Sequence, residues 1–461
     1  MNDWFDAEHH VERAHQLYED GRWEEAETEL REALSLNPYR AEWHFNLGLT
    51  LEAAGRYDEA ARAFTDCHNL DHEDPQVLIL IGVNLLRSGK PGEAIGWLEN
   101  ASKAEPHNPM GFVHRIEAYA RMGDHEQAEV MFYLAQQCDP KNADAFVNLA
   151  DSLLGRAMYE KATWCLREAA NLDPDMPGVH ARLARAYSAT GRLERARQLY
   201  LRELRNDPGD IDTLLDLGCL LVDMNRLPEA GEKFRRVLEL EPDHPDAHFR
   251  LADLAERMGQ PEAAAEQFHV VLRLDPKFPT VRARIAALLL ARGRHADRDE
   301  ARRLLGAELE AVDKSASQFG PGDLVDLGRA LLDAGMNAEA EGVLARLVKA
   351  DPGNVQALHL YSVALYHAGD RAAGIEACRR VLRLDAKFVP AMHNIAVAYV
   401  MDRQWNKARY WTRQALLVDP DDASLRRLLL KLRLHTLTEA AWVVLTPVRW
   451  MFLRRRRPVL P

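Results

Sequence analysis

Residues 41–74 read AEWHFNLGLTLEAAGRYDEAARAFTDCHNLDHED, and this 34-residue pattern returns along most of the chain. The clearest mark of the period is proline, which stands at positions 38, 106, 140, 174, 208, 242 and 276, always 34 or twice 34 residues apart. A fixed period of this length in a helix-rich sequence is typical of stacked copies of one supersecondary unit. The sequence therefore predicts a solenoid of about twelve repeats rather than a compact globule.

Two columns of small side chains keep the same period. Each repeat is taken to begin 31 residues before its proline, so that repeat 1 begins at residue 7. Small residues at the eighth and twentieth positions predict two helices that face each other closely, since a larger side chain would hold the backbones apart. The twentieth position holds Ala26, Ala60, Ala94, Ala128, Ala162, Ala196, Ala230, Ala264, Ala301, Ala340, Gly374 and Ala408, and Ile116 is the one large residue in the eighth.

Each repeat also carries the signals of two short helices. In repeat 2, Leu47 and Leu51 and then Ala60 and Phe64 have the spacing of amphipathic helices. A glycine between them, such as Gly55, ends the first helix because glycine adopts the left-handed conformation without steric cost. The column proline closes the second helix, since proline cannot continue one. Each repeat is thus predicted to be a helix hairpin.

These columns resemble those of the tetratricopeptide repeat (TPR) family. The resemblance covers about residues 7–422, and the motif in repeat 2 consists of Trp43, Leu47-Gly48, Leu51, Gly55-Arg-Tyr57, Ala60 and Phe64. It implies an all-α, right-handed superhelical solenoid that serves as a protein-interaction scaffold, without specifying the partner. The departures from the pattern are His72 and Ala386 in place of proline, and Ala157, Asn225 and Arg403 in place of glycine.

The period slips once, in repeat 9. Ala301 follows Gly293 by eight residues, where the interval elsewhere is five, and repeat 10 begins 42 residues after Pro279. Three extra residues are expected in the turn that begins at Arg294, and the others in residues 314–322, whose Ser, Gly and Pro content is typical of a linker. Two interpretations are open: a hinge between two blocks of repeats, or an insertion that leaves the stack continuous.

The predicted organisation follows from the repeats and from this slip. It comprises an amino-terminal segment (1–6), repeats 1–9 (7–313), a linker (314–320), repeats 10–12 (321–422), a carboxyl-terminal capping helix (423–435) and a basic amphipathic tail (436–461).

Catalytic and metal-binding motifs are absent from the sequence. It contains no phosphate-binding loop, no HExxH zinc helix and no nucleophile elbow. The five cysteines lie far apart, and His359, His367 and His393 have no carboxylate or cysteine at ligand spacing. The chain is therefore predicted not to be an enzyme and not to bind a metal or cofactor.

The charge distribution bears on partners and on location. Residues 1–420 carry 50 of the 59 basic and 68 of the 71 acidic side chains, a balance that repels nucleic-acid phosphates. The acidic start from Met1 to Glu8 lacks the positive and apolar runs of a secretory signal. We therefore expect no nucleic-acid partner and a cytoplasmic location, with association at the inner membrane surface as an alternative.

An apolar stripe is expected on the concave face, which in this family is lined by the first helices. The helix from Pro75 to Leu86 is apolar around nearly its whole circumference. An exposed patch of this kind usually marks a binding site, here for an amphipathic helix or an extended peptide. The alternative is permanent cover by the segment around Trp4 and Phe5, or by a neighbouring chain. The predicted partner-binding groove comprises Phe45, Asn46, Leu49, Ile79, Leu80, Val83, Leu86 and Val113.

The following repeats place polar and charged side chains at the same positions. They are interpreted either as a secondary groove for a basic or mixed-charge peptide or as an ordinary solvated face. The set is Asp144, Asn148, Asp151, Arg182, Arg185, Asp216, Arg250 and Asp253.

The carboxyl terminus concentrates basic charge. Residues 440–457 combine tryptophans with arginines, but Pro447 and Arg449 interrupt the apolar run, which is too short to span a bilayer. Tryptophan beside arginine suits a bilayer surface; docking to a partner or to the chain's own groove, and an idle end, are the alternatives. The tail residues singled out are Trp442, Trp450, Phe452, Arg454, Arg455, Arg456 and Arg457.

The sequence as a whole predicts a non-catalytic scaffold that binds a peptide or helix of a protein partner in its concave groove. Two alternatives are a peripheral membrane assembly factor held at a lipid surface by its tail, and a regulatory subunit of a separately encoded enzyme.

Overall fold

The structure, a computed structural model, describes residues 2–72 and 74–434, with side chains from residue 6 onward. Within these residues every regular element is a helix and no strand occurs. Consecutive helices are joined by short turns and pack on one another as hairpins. The predicted all-α repeat fold is confirmed, and the chain divides into two compact units, Met1–Pro242 and Asp243–Pro461.

The first compact unit contains the hairpins of repeats 1 to 7. Its first helix begins at Asn2, so residues 2–6, expected as a separate segment, form the start of this helix. The helices are α1 Asn2–Glu19, α2 Trp23–Leu36, α3 Ala41–Ala53, α4 Tyr57–Leu70, α5 Pro75–Arg87, α6 Pro91–Ala104, α7 Met110–Arg121, α8 His125–Cys138, α9 Ala143–Gly155, α10 Tyr159–Leu172, α11 Val179–Ala189, α12 Leu193–Asn206, α13 Ile211–Asp223 and α14 Leu227–Leu240.

The second compact unit contains the hairpins of repeats 8 to 12 and one further helix, α25, at residues 423–434. In α25, Leu425 is fully buried and packs with Met392 and Ala415 of the last hairpin. The other helices are α15 Pro245–Arg257, α16 Pro261–Leu274, α17 Val281–Arg292, α18 His295–Lys314, α19 Pro321–Asp333, α20 Asn337–Ala350, α21 Val355–Ala368, α22 Arg371–Leu384, α23 Val389–Met401 and α24 Trp405–Val418.

A residue with positive φ follows the first helix of every hairpin. Gly55 has φ 74°, as the glycine column predicts. Ala157, Asn225 and Arg403, which replace glycine in this column, adopt φ values of 55°, 58° and 57°. The left-handed turn is therefore kept without glycine, at a cost of about 1–2 kcal/mol for each of these residues.

The small residue at the eighth position lies against a large side chain of the second helix. A Cβ added to Gly48 would come within 2.6 Å of the Phe64 ring, and one added to Gly328 would come within 2.6 Å of Leu344. Phe64 and Leu344 both occupy the twenty-fourth position of their repeats. The closest partner of the eighth position is thus this large side chain rather than the alanine column, although Ala60 of that column is fully buried.

A buried glutamate holds the start of α11 in the first compact unit. Glu203 of α12 is 4% exposed. Its carboxylate accepts hydrogen bonds from the backbone N–H groups of Gly178, His180 and Ala181 at 2.7, 3.1 and 3.3 Å. The first N–H groups of a helix have no partner within the helix, and the helix dipole favours negative charge there. Glu203 therefore joins α12 to the first helix of its own hairpin.

Glu308 of α18 has the same role in the second compact unit. It is 1% exposed and accepts hydrogen bonds from the Thr280 N–H at 2.6 Å and from Arg282 Nη1 at 3.2 Å. Burial raises the pKa of the Glu308 carboxyl, and the hydrogen bonds from Arg282 and Thr280 oppose that rise. Thr280 has φ 70°, close to the 76° of Gly178 at the same position of repeat 6.

The insertion in repeat 9 lengthens a helix. α18 has 20 residues, whereas α16 and the other second helices have 14. The expectation that three extra residues enter the turn is wrong, because α18 already begins at His295. A 3-10 helix follows at Ala316–Gln318, and Phe319, 8% exposed, joins a hydrophobic cluster with buried residues on both sides of it in the sequence. The hinge at residues 314–320 stays a prediction. Phe319 anchors this segment to the hydrophobic cluster.

Candidate partner-binding groove

An apolar pocket of about 220 Å³ opens between the first helices of repeats 1 and 2 in the first compact unit. Side chains of α1 and α3 form most of its wall, and one residue of α2 completes it. Asn46 and Leu49 of the predicted groove are among the lining residues. The others are Val11, Ala14, His15, Tyr18, Glu19, Leu30 and Thr50.

Most predicted groove residues are half-buried. Phe45, Leu49 and Leu80 pack against one hydrophobic cluster, and the Phe45 ring meets the Phe64 ring edge to face, with 5.6 Å between centroids. A half-buried apolar side chain keeps part of its surface in water, and covering that surface is favourable. We call the pocket and the half-buried set the apolar groove; the set is Phe45, Asn46, Leu49, Ile79, Leu80 and Val83.

Leu86 and Val113 do not belong to an open surface. They are 1% and 0% exposed, so the prediction that they line the groove is wrong. The next hairpin contacts the backbone of each residue: Arg121 of α7 donates to the Leu86 carbonyl at 2.5 Å, and Asn148 of α9 donates to the Val113 carbonyl at 3.0 Å. The all-apolar circumference of α5 indicated burial on two sides, but it did not show which residues would be covered.

The polar set forms ion pairs between successive hairpins of the first compact unit. Arg182 Nε donates to Asp151 Oδ1 at 3.0 Å, and Arg185 Nε donates to Asp216 Oδ2 at 2.5 Å. In both pairs the residues stand 31 positions apart, at the ninth position of one repeat and the sixth of the next. This spacing is visible in the sequence, but only the packing of the hairpins shows that it is a contact distance.

The rest of the polar set occupies the second, sixth and ninth positions of its repeats. In the second compact unit, Asp253 pairs with Arg284 at 2.7 Å, again 31 positions apart. Arg250 lies over the Phe249 ring at 6.0 Å, and Asp144 is exposed. Since much of this charge is already paired within the chain, less of it is free to bind a charged peptide.

A double-mutant cycle tests the pair formed by Asp151 and Arg182. Their side chains are 45% and 33% exposed, so solvent screens their attraction. We expect Asp151→Ala and Arg182→Ala each to lower the free energy of unfolding by less than about 1 kcal/mol, with a coupling energy of about 0.5 kcal/mol. Urea denaturation measures both quantities. A coupling energy near zero would show that the pair has no part in stacking the hairpins.

No helix in the described part of the chain has an apolar stretch of the length that a bilayer crossing requires. The described residues also contain no group of three or more His, Cys, Asp or Glu side chains placed to hold a metal ion. The side chains of Trp4 and Phe5 and the tail lie outside the described part of the chain; the tail residues concerned are Trp442, Trp450, Phe452, Arg454, Arg455, Arg456 and Arg457.

Three of the solved structures that resemble this chain are the following. A thermophilic TPR protein of Thermus thermophilus is 25% identical over 40% of this chain and 100% of its own, with a TM-score of 0.37. The APC/C hetero-tetramer Cut9–Hcn1 is 14% identical over 91% of this chain and 95% of its own, with a TM-score of 0.45. The human IFIT1 dimer with m7Gppp-AAAA is 15% identical over 83% of this chain and 91% of its own, with a TM-score of 0.46. These likenesses concern the fold alone.

Comparison with sequence profiles identifies the repeat. No curated protein sequence matches the chain. A tetratricopeptide repeat profile matches residues 11–66, 215–279 and 325–387, and a second profile of the same repeat matches residues 165–217. Because each matched stretch folds into helix hairpins with a left-handed turn between the helices, this chain is a member of the tetratricopeptide repeat family.

Proposed function

We propose that this chain is a non-catalytic scaffold that binds an amphipathic helix or extended peptide of a protein partner in the apolar groove. Proteins built from this repeat are in general protein-interaction scaffolds. The pocket of about 220 Å³ between α1 and α3 is the observation that carries the proposal. Its wall is mostly apolar and it opens to solvent, so it can accept one side chain of a partner.

The chemistry of the groove favours an apolar anchor with polar contacts at its edge. Full burial of a Leu- or Phe-sized side chain contributes about 1.5–3 kcal/mol. Leu80 and Val83 on α5 extend the apolar surface beyond the pocket. Asn46 at the pocket wall brings an amide group that can orient a peptide backbone.

Affinity capture from the native cell tests this function. The full chain serves as bait in its natural form and as the variant Leu80→Asp/Val83→Asp, which places two charges in the apolar groove. We expect a partner that the natural chain retains in stoichiometric amount to be lost from the variant, because burying an unpaired charge is costly.

The matched control carries the same chemical change on another face. Leu36 and Leu70 lie at the ends of second helices and are 43% and 41% exposed, so Leu36→Asp/Leu70→Asp should keep the partner. Asn46→Arg is a second groove variant, which fills the pocket by replacing one polar side chain with a larger one. It replaces the double aspartate variant if the aspartates disturb the core. Circular dichroism checks that each variant retains its helices. Retention of the partner by a folded groove variant would refute the proposal.

A further inference from the structure

A second pocket, of about 510 Å³, lies between the second helices α12 and α14 of the first compact unit. It shares no lining residue with the apolar groove. Its floor is apolar: Leu214 of α13 is 3% exposed, and Leu201 and Leu204 of α12 are half-buried. The half-buried leucines keep apolar surface in water, and a ligand that covers this surface gains stability.

The wall of this pocket carries an excess of positive charge. Four of its side chains are basic and two are acidic. The basic residues are Arg205 of α12 and Lys233, Arg235 and Arg236 of α14, and the acidic residues are Glu232 and Glu239 of α14. This local excess contrasts with the net charge of -12 for the whole chain. We call the pocket the basic groove.

Most of these cations have no partner of their own. Arg236 is the exception, because its Nη1 donates to Glu239 Oε2 at 2.7 Å. The other three, Arg205, Lys233 and Arg235, form no ion pair and no side-chain hydrogen bond within the residues that the structure describes. The wall thus presents three unpaired cations and one unpaired carboxylate above an apolar floor. Positive potential of this kind is complementary to a negatively charged ligand.

We propose that the basic groove binds an acidic peptide segment of a protein partner. Carboxylates of the segment pair with Arg205 and Arg235, and an apolar side chain between them covers Leu201 and Leu204. Clusters of arginine are a recurring means of recognising acidic motifs. The inference goes beyond the proposed function, because it concerns other helices and another ligand chemistry than the apolar groove.

The shape and the surroundings of the basic groove favour a peptide over other anions. Its apolar floor is recessed between two helices, where a peptide side chain can enter and a flat bilayer surface cannot. The net negative charge of the chain repels a long polyanion such as a nucleic acid. A short acidic segment responds mainly to the charges beside it, since exposed charges are screened beyond about 10 Å.

Fluorescence anisotropy on the full chain tests the inference. The probe is a labelled synthetic peptide in which the triplet Glu-Glu-Leu is repeated four times. We expect saturable binding that weakens with added salt, because exposed ion pairs are screened. The same peptide with glutamine in place of every glutamate should bind at least about 10-fold more weakly, since it keeps the leucines and loses the charge.

Charge reversal on the wall locates the binding site. Arg205→Glu and Arg235→Glu change exposed residues, so both variants should fold, which circular dichroism checks. Each should weaken binding of the acidic peptide about 3- to 10-fold, as expected for one exposed charge. The matched control is Arg167→Glu, because Arg167 has the twenty-fifth position of repeat 5, as Arg235 has in repeat 7, and is exposed outside the basic groove. This variant should bind like the natural chain.

Several results would overturn the inference. One is peptide binding that ignores both Arg205→Glu and Arg235→Glu, and another is equal weakening by Arg167→Glu, which would leave only an effect of overall charge. A third is equal binding of the glutamine peptide. A fourth is binding to vesicles of phosphatidylcholine and phosphatidylserine that depends on Arg235, without saturable binding of the peptide; the basic groove would then be a lipid site.

The apolar groove gives a further control that separates the two proposals. Leu80→Asp/Val83→Asp should leave binding of the acidic peptide unchanged, because these residues lie outside the basic groove. Loss of the peptide from this variant would place it in the apolar groove and refute the inference. Conversely, Arg235→Glu can abolish peptide binding whether or not a cellular partner depends on Leu80 and Val83, so either proposal can fail without the other.

Discussion

Glu203→Ala should lower the free energy of unfolding by about 2–4 kcal/mol. Glu203 is 4% exposed, and its carboxylate accepts three backbone hydrogen bonds at the start of α11. Alanine leaves these N–H groups without an acceptor and opens a cavity beside them. Because α11 also carries Arg182 and Arg185, we expect its loosening to disturb the ion pairs on both sides.

Glu203→Gln is the matched control, because it keeps one acceptor oxygen and nearly the same volume. It should cost clearly less than the alanine variant. Urea denaturation followed by circular dichroism gives the two free energies, and amide hydrogen exchange locates the effect. We expect faster exchange in α11 first. An alanine variant as stable as the natural protein would mean that water replaces the carboxylate without cost.

Gly48→Val should cost about 2–3 kcal/mol through overpacking. A Cβ at this position would already come within 2.6 Å of the Phe64 ring, and valine adds two methyl groups to that contact. Repeat 8 pairs Ala252 with Phe268, both fully buried, so a single methyl group is tolerated in this arrangement. Valine is therefore the informative change at Gly48.

Gly96→Val makes the same substitution where nothing is in the way. Gly96 lies inside α6, and a Cβ there would have no neighbouring atom within 4 Å. Valine favours the helix over glycine by a few tenths of a kcal/mol, so this variant should unfold at an equal or slightly higher urea concentration. Equal destabilisation by both substitutions would contradict the close packing of the eighth position against the twenty-fourth.

Our proposal for the partner site rests on how the hairpins present their first helices. In the first compact unit, the apolar groove lies at α1, α3 and α5, and the paired charges of α9, α11 and α13 follow along the chain. The apolar side chains retain surface that a partner can cover, whereas most of the neighbouring charges already satisfy one another. This contrast is why we place the partner site on the apolar groove rather than on the polar set.

The sequence by itself determined the fold of the repeats. The proline, glycine and alanine columns report local events, namely a helix end, a left-handed turn and a close helix contact, and each recurs with the period of the structure. Even the departures were informative, because Ala157, Asn225 and Arg403 adopt the positive φ of the glycine they replace. A pattern of this kind depends on residues within one hairpin, so it can be read without knowing how neighbouring hairpins pack.

Only the tertiary structure decided which side chains remain open for binding. Leu86 and Val113 satisfied the same pattern as Leu80 and Val83, but they are buried, and side chains of the next hairpin bind their carbonyl groups. The pairing of Asp151 with Arg182, and the placement of Glu203 under α11, likewise depend on contacts between residues more than twenty positions apart. Burial and pairing at such distances follow from the packing angle of adjacent helices, which a repeat pattern does not specify.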